Sequence, residues 1–242
     1  MTPKLARLEN LIGHTFEAPK LLERALTHRS WAYENLAGEG DEKVRESENE
    51  SMEFVGDSVL GLVIAERLYL AHPKSSEGDL TLMKHHLVST ATLASVAETL
   101  DLGEFIRVGR GEEKTGGRKK QALLANTLEA VIAAVFLDGG YIPARVFIGR
   151  IFAEELKNAT PKNSIDYKTL LQELLQSEKR AAPSYNVINT SGPPHERQFS
   201  VEAVWATGKA RGIGSSIKSA EMMAAAEALD ILKKTSGQEP KR

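Results

Sequence analysis

Apolar residues recur at helical spacing through most of the first 157 positions, and the strict alternation of a half-buried strand is missing there. Leu5, Leu8, Leu11 and Ile12 mark a short amphipathic helix, and Pro19 opens a second over residues 20–26. Helical patterns resume over 50–70, 80–100, 122–137 and 143–157. The polar, glycine-containing stretch 36–50, with its dense charge run at 39–48, predicts an exposed loop. These patterns predict an all-α N-terminal domain over residues 1–157.

Residues 158–164 are short, polar and proline-punctuated, and contain no apolar side chain larger than alanine, which predicts a linker. Beyond them the pattern changes. Residues 167–178 read as a helix with Leu170, Leu171, Leu174 and Leu175 at core spacing. Three short strands follow at 185–188, 199–205 and 209–213, and a last helix at 219–234. The order α-β-β-β-α predicts a small α+β domain over 165–235, with a frayed tail at 236–242.

Composition narrows the classes. The 242 residues include no cysteine, which excludes disulfides, thiolate nucleophiles and cysteine-ligated zinc, and fits a reducing cytoplasm. No run of eighteen apolar residues occurs, so no membrane-spanning helix is expected, and Met1-Thr2-Pro3-Lys4-Leu5 does not read as a secretory leader. Charge is unevenly divided: residues 1–160 carry a net −5 and residues 161–242 a net +3, which together give the chain's −2. An acidic body with a basic tail suggests a catalytic or metal-using part joined to a polyanion-binding part.

The candidate chemistry lies at 49–60. At 100° per residue, Glu50, Glu53 and Asp57 fall within about 60° of one another on one helical face, while Phe54, Val55, Val59, Leu60, Leu62 and Val63 demand burial of the same helix. A buried carboxylate stripe is costly unless cations or hydrogen bonds compensate. Glu50 and Glu53 could instead favour the positive end of the helix dipole, a role unavailable to Asp57 two turns in. In 123–132, Asn126 and Glu129 stand at i and i+3 among apolar residues. Oxygen donors from two facing helices suit a hard divalent cation, and the chain offers no soft-metal set. The residues therefore point to Mg²⁺-dependent phosphoryl transfer or hydrolysis.

The run Glu50-Ser51-Met52-Glu53-Phe54-Val55-Gly56-Asp57-Ser58-Val59-Leu60 resembles the signature helix of ribonuclease III, the double-stranded-RNA endonuclease family. Ala25-Leu26-Thr27-His28-Arg29-Ser30, the run from Gly109 to Arg118, Asn126-Thr127-Leu128-Glu129-Ala130 and Phe136-Leu137-Asp138-Gly139-Gly140 keep that family's order. The resemblance implies catalytic roles for Asp57, Glu129 and Glu50, and metal ligation by Glu53, Asn126 and Glu129. It departs at Asn126, where the family more often has aspartate; an amide oxygen still ligates Mg²⁺ but brings no charge. It further implies Mg²⁺ as cofactor, with Mn²⁺ as a substitute, and a homodimer in which each subunit cuts one strand. The products are then 5′-phosphate ends with short 3′ overhangs, and ribosomal and other precursor RNAs the substrates. The alternative is a non-cleaving dsRNA-binding regulatory protein, against which the retained Glu53, Asp57 and Glu129 argue. His28 reads as a hydrogen-bonded structural histidine, and the loop 109–120 offers Arg110, Lys114, Arg118, Lys119 and Lys120 to phosphate.

The C-terminal part resembles a double-stranded-RNA-binding domain at 166–174, 192–195 and 212–221. A-form RNA is read by shape, through 2′-hydroxyls and phosphates. The resemblance assigns Thr169, Gln172 and Glu173 to one minor groove and His195 to the next. Ser216 and Lys218, at the start of the last helix, fall to the intervening phosphates. Ile217 stands where the family usually has the first lysine of a pair; either it faces RNA or it packs in the core.

Overall fold

The computed structural model describes residues 3–164, 166–193 and 197–236. The chain divides into two compact units, Met1–Ile165 and Asp166–Arg242, each with its own apolar core.

In the first unit α1 (Pro3–Ile12), α2 (Pro19–Ala25), α3 (Arg29–Leu36), α4 (Asp41–Ser47), α5 (Glu50–Ala71), α6 (Glu77–Leu87) and α7 (Thr90–Thr99) lead to α8 (Arg110–Lys114). The central α9 (Gln121–Gly139), then α10 (Tyr141–Ile151), α11 (Ala153–Asn158) and α12 (Pro161–Ser164), complete it. Alanine and leucine dominate α9 and are among the best helix formers. Its residues from Leu123 to Val135 are buried, Asn126 excepted. Around it pack α5, α7, α10 and α2. Each fully buried leucine or isoleucine removes enough surface from water to contribute about 1.5–3 kcal/mol. Among the described residues α9 is the one helix long and apolar enough to cross a membrane; here two-thirds of it (67%) is buried inside the protein.

Asp138 at the end of α9 pins the entry to α2. Its carboxylate accepts hydrogen bonds from the Ala18 N–H (2.9 Å), the Glu17 N–H (3.1 Å) and the His14 ring (2.8 Å). Burial alone would raise this carboxyl, but those bonds outweigh it and hold it below the usual aspartate value.

Four expectations about this unit are corrected. The helix expected over 143–157 divides at Phe152 into α10 and α11. The helix expected over 80–100 is two, because the Ser89 hydroxyl accepts from the Thr92 N–H and caps a new start, while the Thr92 hydroxyl donates to the His86 carbonyl. The loop expected over 36–50 contains α4, whose Val44 is buried, and its end is interior: Glu48 and Asn49 are only 6% and 3% exposed. The linker expected over 158–164 contains α12, a helical turn packed on α6.

In the second unit α13 (Tyr167–Ser177) precedes an antiparallel sheet in the order β1 (Ser184–Ser191), β2 (Gln198–Trp205), β3 (Gly208–Gly214), then α14 (Ile217–Ser236). In the β1–β2 ladder the register shifts between Val187 and Asn189, a bulge. Leu171, Leu175, Trp205, Ala225, Ala228 and Leu229 form the core. The alanine face of α14 lies so close to β3 that a side chain at Gly212 would overlap the Ala224 and Ala220 backbone. The last helix begins two residues earlier than its apolar pattern suggests, because Ser216 caps it by accepting from the Ser219 N–H (3.1 Å). Residues 237–242, expected to fray, lie outside the described residues.

Candidate active site

The site begins with a close approach of two backbones. Gly56 lies against the Glu129 carbonyl, where any Cβ would overlap the oxygen, so α5 and α9 touch at that point. Glu53, about one turn before Gly56, and Asp57, the residue after it, are thereby brought to Asn126 and Glu129. The Asn126 amide donates a hydrogen bond to the Glu53 carboxylate. Glu129 is 9% exposed, Glu53 and Asn126 are half-buried, and Asp57 is exposed at the rim.

Concentrated negative charge in a partly dry place raises carboxyl pKa values. Burial first, then repulsion from Asp57 and Glu53, pushes the Glu129 carboxyl up to about 8. Burial and then Glu50 raise Glu53, a shift the Asn126 hydrogen bond opposes. Burial also raises Glu48, whose carboxylate accepts from the Glu50 N–H at 2.9 Å. Glu50 is exposed and held by the Arg29 guanidinium at 2.7 Å, and it adds to the field at Glu53. Among the described residues, no three carboxylates or imidazoles close into a metal-ligating cluster. The donor set is nonetheless all oxygen and overcharged for its burial, which is the chemistry a hard divalent cation relieves.

Two motifs eighty residues apart share one wall. Thr27 and Arg107 form a parallel bridge, with the His28 N–H donating to the Arg107 carbonyl (3.0 Å) and the Arg107 N–H to the Leu26 carbonyl (2.8 Å). The Gly109 N–H then donates to the Ser30 hydroxyl (2.9 Å) and the Arg110 N–H to the Glu34 carboxylate (2.7 Å). His28 caps α3 by accepting from the Ser30 N–H, and burial holds its ring below the usual histidine value, partly opposed by Glu112. Three of the five loop cations expected to face phosphate are ion-paired within the protein: Arg110 with Glu34 (2.8 Å), Arg118 with Glu113 (2.6 Å) and Lys120 with Glu112 (2.7 Å). Arg118 also donates to the Gly103 and Ile106 carbonyls.

Sequence patterns placed the acids on one face but missed what makes the face work. Gly56 is one such residue; a glycine inside an apolar helix was its signal. Arg29, Glu48 and Asn49 are the others. The Asn49 amide donates to the Ala25 carbonyl at 3.2 Å, and nothing local in the sequence foretells that.

In the second unit Thr169, Gln172 and Glu173 are exposed on one face of α13. The Thr169 hydroxyl donates to the capping Asp166 carboxylate (3.0 Å). Ser216 and Lys218 are exposed at the start of α14, and Ile217 between them is 44% exposed, so it does not pack in the core. His195 lies outside the described residues.

The family described as Ribonuclease-III-like matches residues 18–156, and that described as Double-stranded RNA binding motif matches residues 167–232. Ribonuclease 3 of Magnetococcus marinus is 42% identical over 234 residues, covering 94% of this chain and 93% of its own. Ribonuclease 3 of Dehalococcoides mccartyi is 44% identical, covering 93% of each. The solved nuclease domain of ribonuclease III from Campylobacter jejuni, described with flexibility in a region involved in dimer formation, is 34% identical with a TM-score of 0.56; the match covers 62% of this chain and 97% of that one. Because the likeness runs through both units in one frame, the chain belongs to the ribonuclease III family of double-stranded-RNA endonucleases.

Proposed function

We propose that this chain is a Mg²⁺-dependent homodimeric endonuclease, with Mn²⁺ as a substitute. In this reading it cuts duplex regions of ribosomal and other precursor RNAs in the cytoplasm, leaving 5′ phosphates and short 3′ overhangs. The observation that carries it is the meeting of Glu53, Asp57, Asn126 and Glu129 across α5 and α9, with Glu129 pushed up to about 8 by burial and by the neighbouring Asp57 and Glu53 charges. Glu53, Asn126 and Glu129 would hold Mg²⁺, which when bound activates water and neutralises charge on the phosphate. Asn126 keeps its amide oxygen for that purpose while its nitrogen serves Glu53.

Hydrolysis forms one bond, from a water oxygen to phosphorus, and breaks another, from phosphorus to the 3′ oxygen, which gains a proton. The phosphate stays on the 5′ oxygen of the downstream nucleotide. In this reading Asp57, exposed beside Glu129, accepts the proton of that water, and Glu50, held by Arg29, shapes the field at Glu53. A second copy of the chain is supported by the outer face of α5, where Phe54 (76% exposed), Ser58 and Leu62 (58% exposed) stand one turn apart. Exposed apolar stripes of that kind mark contact surfaces. For RNA, Thr169, Gln172 and Glu173 would meet one minor groove and Ser216 and Lys218 the phosphates. The Ser216 oxygen accepts from the Ser219 N–H, which leaves its O–H free to donate. His195 rests on the sequence alone.

The test is a labelled RNA duplex incubated with Mg²⁺ or with EDTA. Cleavage in Mg²⁺ only, abolished by Glu129→Gln while duplex binding stays within a few-fold, is the expected result. Binding without cleavage by the unaltered protein would favour the regulatory alternative; wild-type turnover by Glu129→Gln would show the site misplaced.

A further inference from the structure

Beside the acids lies a cavity of about 220 Å³ lined by His28, Asn49, Glu50, Glu53, Glu112 and Lys120, with α9 residues Ala122, Leu123 and Asn126. A water occupies about 30 Å³ in the liquid, so the space exceeds one solvent molecule. Most polar groups on its wall are already engaged. Glu50 holds Arg29, Glu112 holds Lys120, Glu53 accepts from Asn126, and Asn49 donates to the Ala25 carbonyl.

His28 is the exception. Its Nδ1 faces both the Ser30 N–H (3.3 Å) and the Ser30 hydroxyl (2.8 Å), and the Ser30 oxygen in turn accepts from the Gly109 N–H. With its oxygen accepting from Gly109, the hydroxyl has its proton to give to Nδ1. Two donors on Nδ1 leave the ring proton on Nε2. The described hydrogen bonds give Nε2 no partner, while the ring lines the cavity. The wall thus sets a donor without a described partner, the Nε2–H, beside an acceptor, the second oxygen of Glu112, whose Oε1 is taken by Lys120. His28 and Glu112 interact electrostatically across this wall.

A donor and an acceptor together suit a hydroxyl, which both accepts and donates. A phosphodiester oxygen only accepts, and here it would lie against Glu50, Glu53 and Glu112. We propose that the His28 Nε2–H and the Glu112 carboxylate hold the 2′-hydroxyl of a nucleotide flanking the scissile phosphate, so that this pocket selects ribose over deoxyribose. This deepens the reading of the adjacent acids as the cleavage site and rests on it. The contacts from α3 acquire a purpose: Ser30 and Glu34 fix the start of α8, which carries Glu112, and so fix the acceptor relative to the donor.

The experiment crosses a protein change with a substrate change. His28→Asn keeps a side chain able to cap α3 but is too short to present a donor at the Nε2 position. Duplexes carry single 2′-deoxy substitutions, scanned across the nucleotides that flank the cut. On all-ribose RNA, His28→Asn should lower kcat/KM about tenfold, the value of one hydrogen bond to a polar substrate group. At one scanned position the deoxy substrate should cost the wild type about tenfold and cost His28→Asn nothing further. Losses that multiply at every position overturn the proposal, as does a wild type indifferent to every single deoxy substitution, whatever the variant does. A wild type that cleaves no duplex in Mg²⁺ overturns the cleavage-site reading and this proposal with it.

Discussion

Glu129 carries a cost that the rest of the fold sustains. Its carboxyl titrates near 8 when folded and near 4.5 when free. A raised carboxyl favours the folded state while protonated, so its contribution is complete below about pH 4.5 and is lost as pH rises through about 8. Without metal, therefore, Glu129→Gln should melt higher than the wild type at pH 8, by about 2–4 °C for each kcal/mol of desolvation relieved, and the gap should close by pH 5. Thermal scans in EDTA at the two pH values check this; equal melting temperatures at pH 8 would mean that Glu129 is not charge-stressed. Asn126→Asp adds a further anion to the same stress, so it should lower apo stability and also lower the Mg²⁺ concentration needed for half-maximal cleavage. A metal titration of rate reads the second effect directly; an unchanged requirement would remove Asn126 from the ligand set.

Between elements, the decisive contact is the crossing of α5 and α9 at Gly56. Gly56→Ala should force the helices apart, cost about 1–3 kcal/mol as overpacking does, and reduce cleavage by about 100-fold, because a displacement near 1 Å misaligns reacting groups. Chemical denaturation and single-turnover cleavage measure the two effects. Loss of activity without loss of stability would move the residue's role from spacing to chemistry. Much at this scale was legible in the sequence, because the long helices α5, α9 and α13 declare themselves by period and the acids by their shared face. Three features were not. The break at Ser89 turns on one hydroxyl cap inside an unbroken apolar rhythm. The burial of Glu48 and Asn49 is imposed by neighbours from α2, as the Arg24 guanidinium donates to the Glu48 carbonyl at 3.0 Å. The cationic loop looked free for phosphate because its acidic partners Glu34, Glu112 and Glu113 are recognisable as partners only once the chain has folded.

Across the whole molecule, the two cores share no described residue, so each unit should fold alone. A fragment of residues 1–165 should melt cooperatively and still cut duplex RNA at low salt, while losing most affinity at roughly 0.15 M salt. Full affinity at that salt would show that the second unit is dispensable for capture. The order of the helices along the chain has a bearing on synthesis as well. The segment Gln121–Gly139, apolar enough by composition for a lipid bilayer, docks on α2, α5 and α7, all of which precede it, and on α10, which follows at once. A growing chain delivers its N-terminal parts first. By the time this segment leaves the ribosome most of its cover has already been made, and the interval in which a chaperone, an aggregate or a membrane could claim it is short.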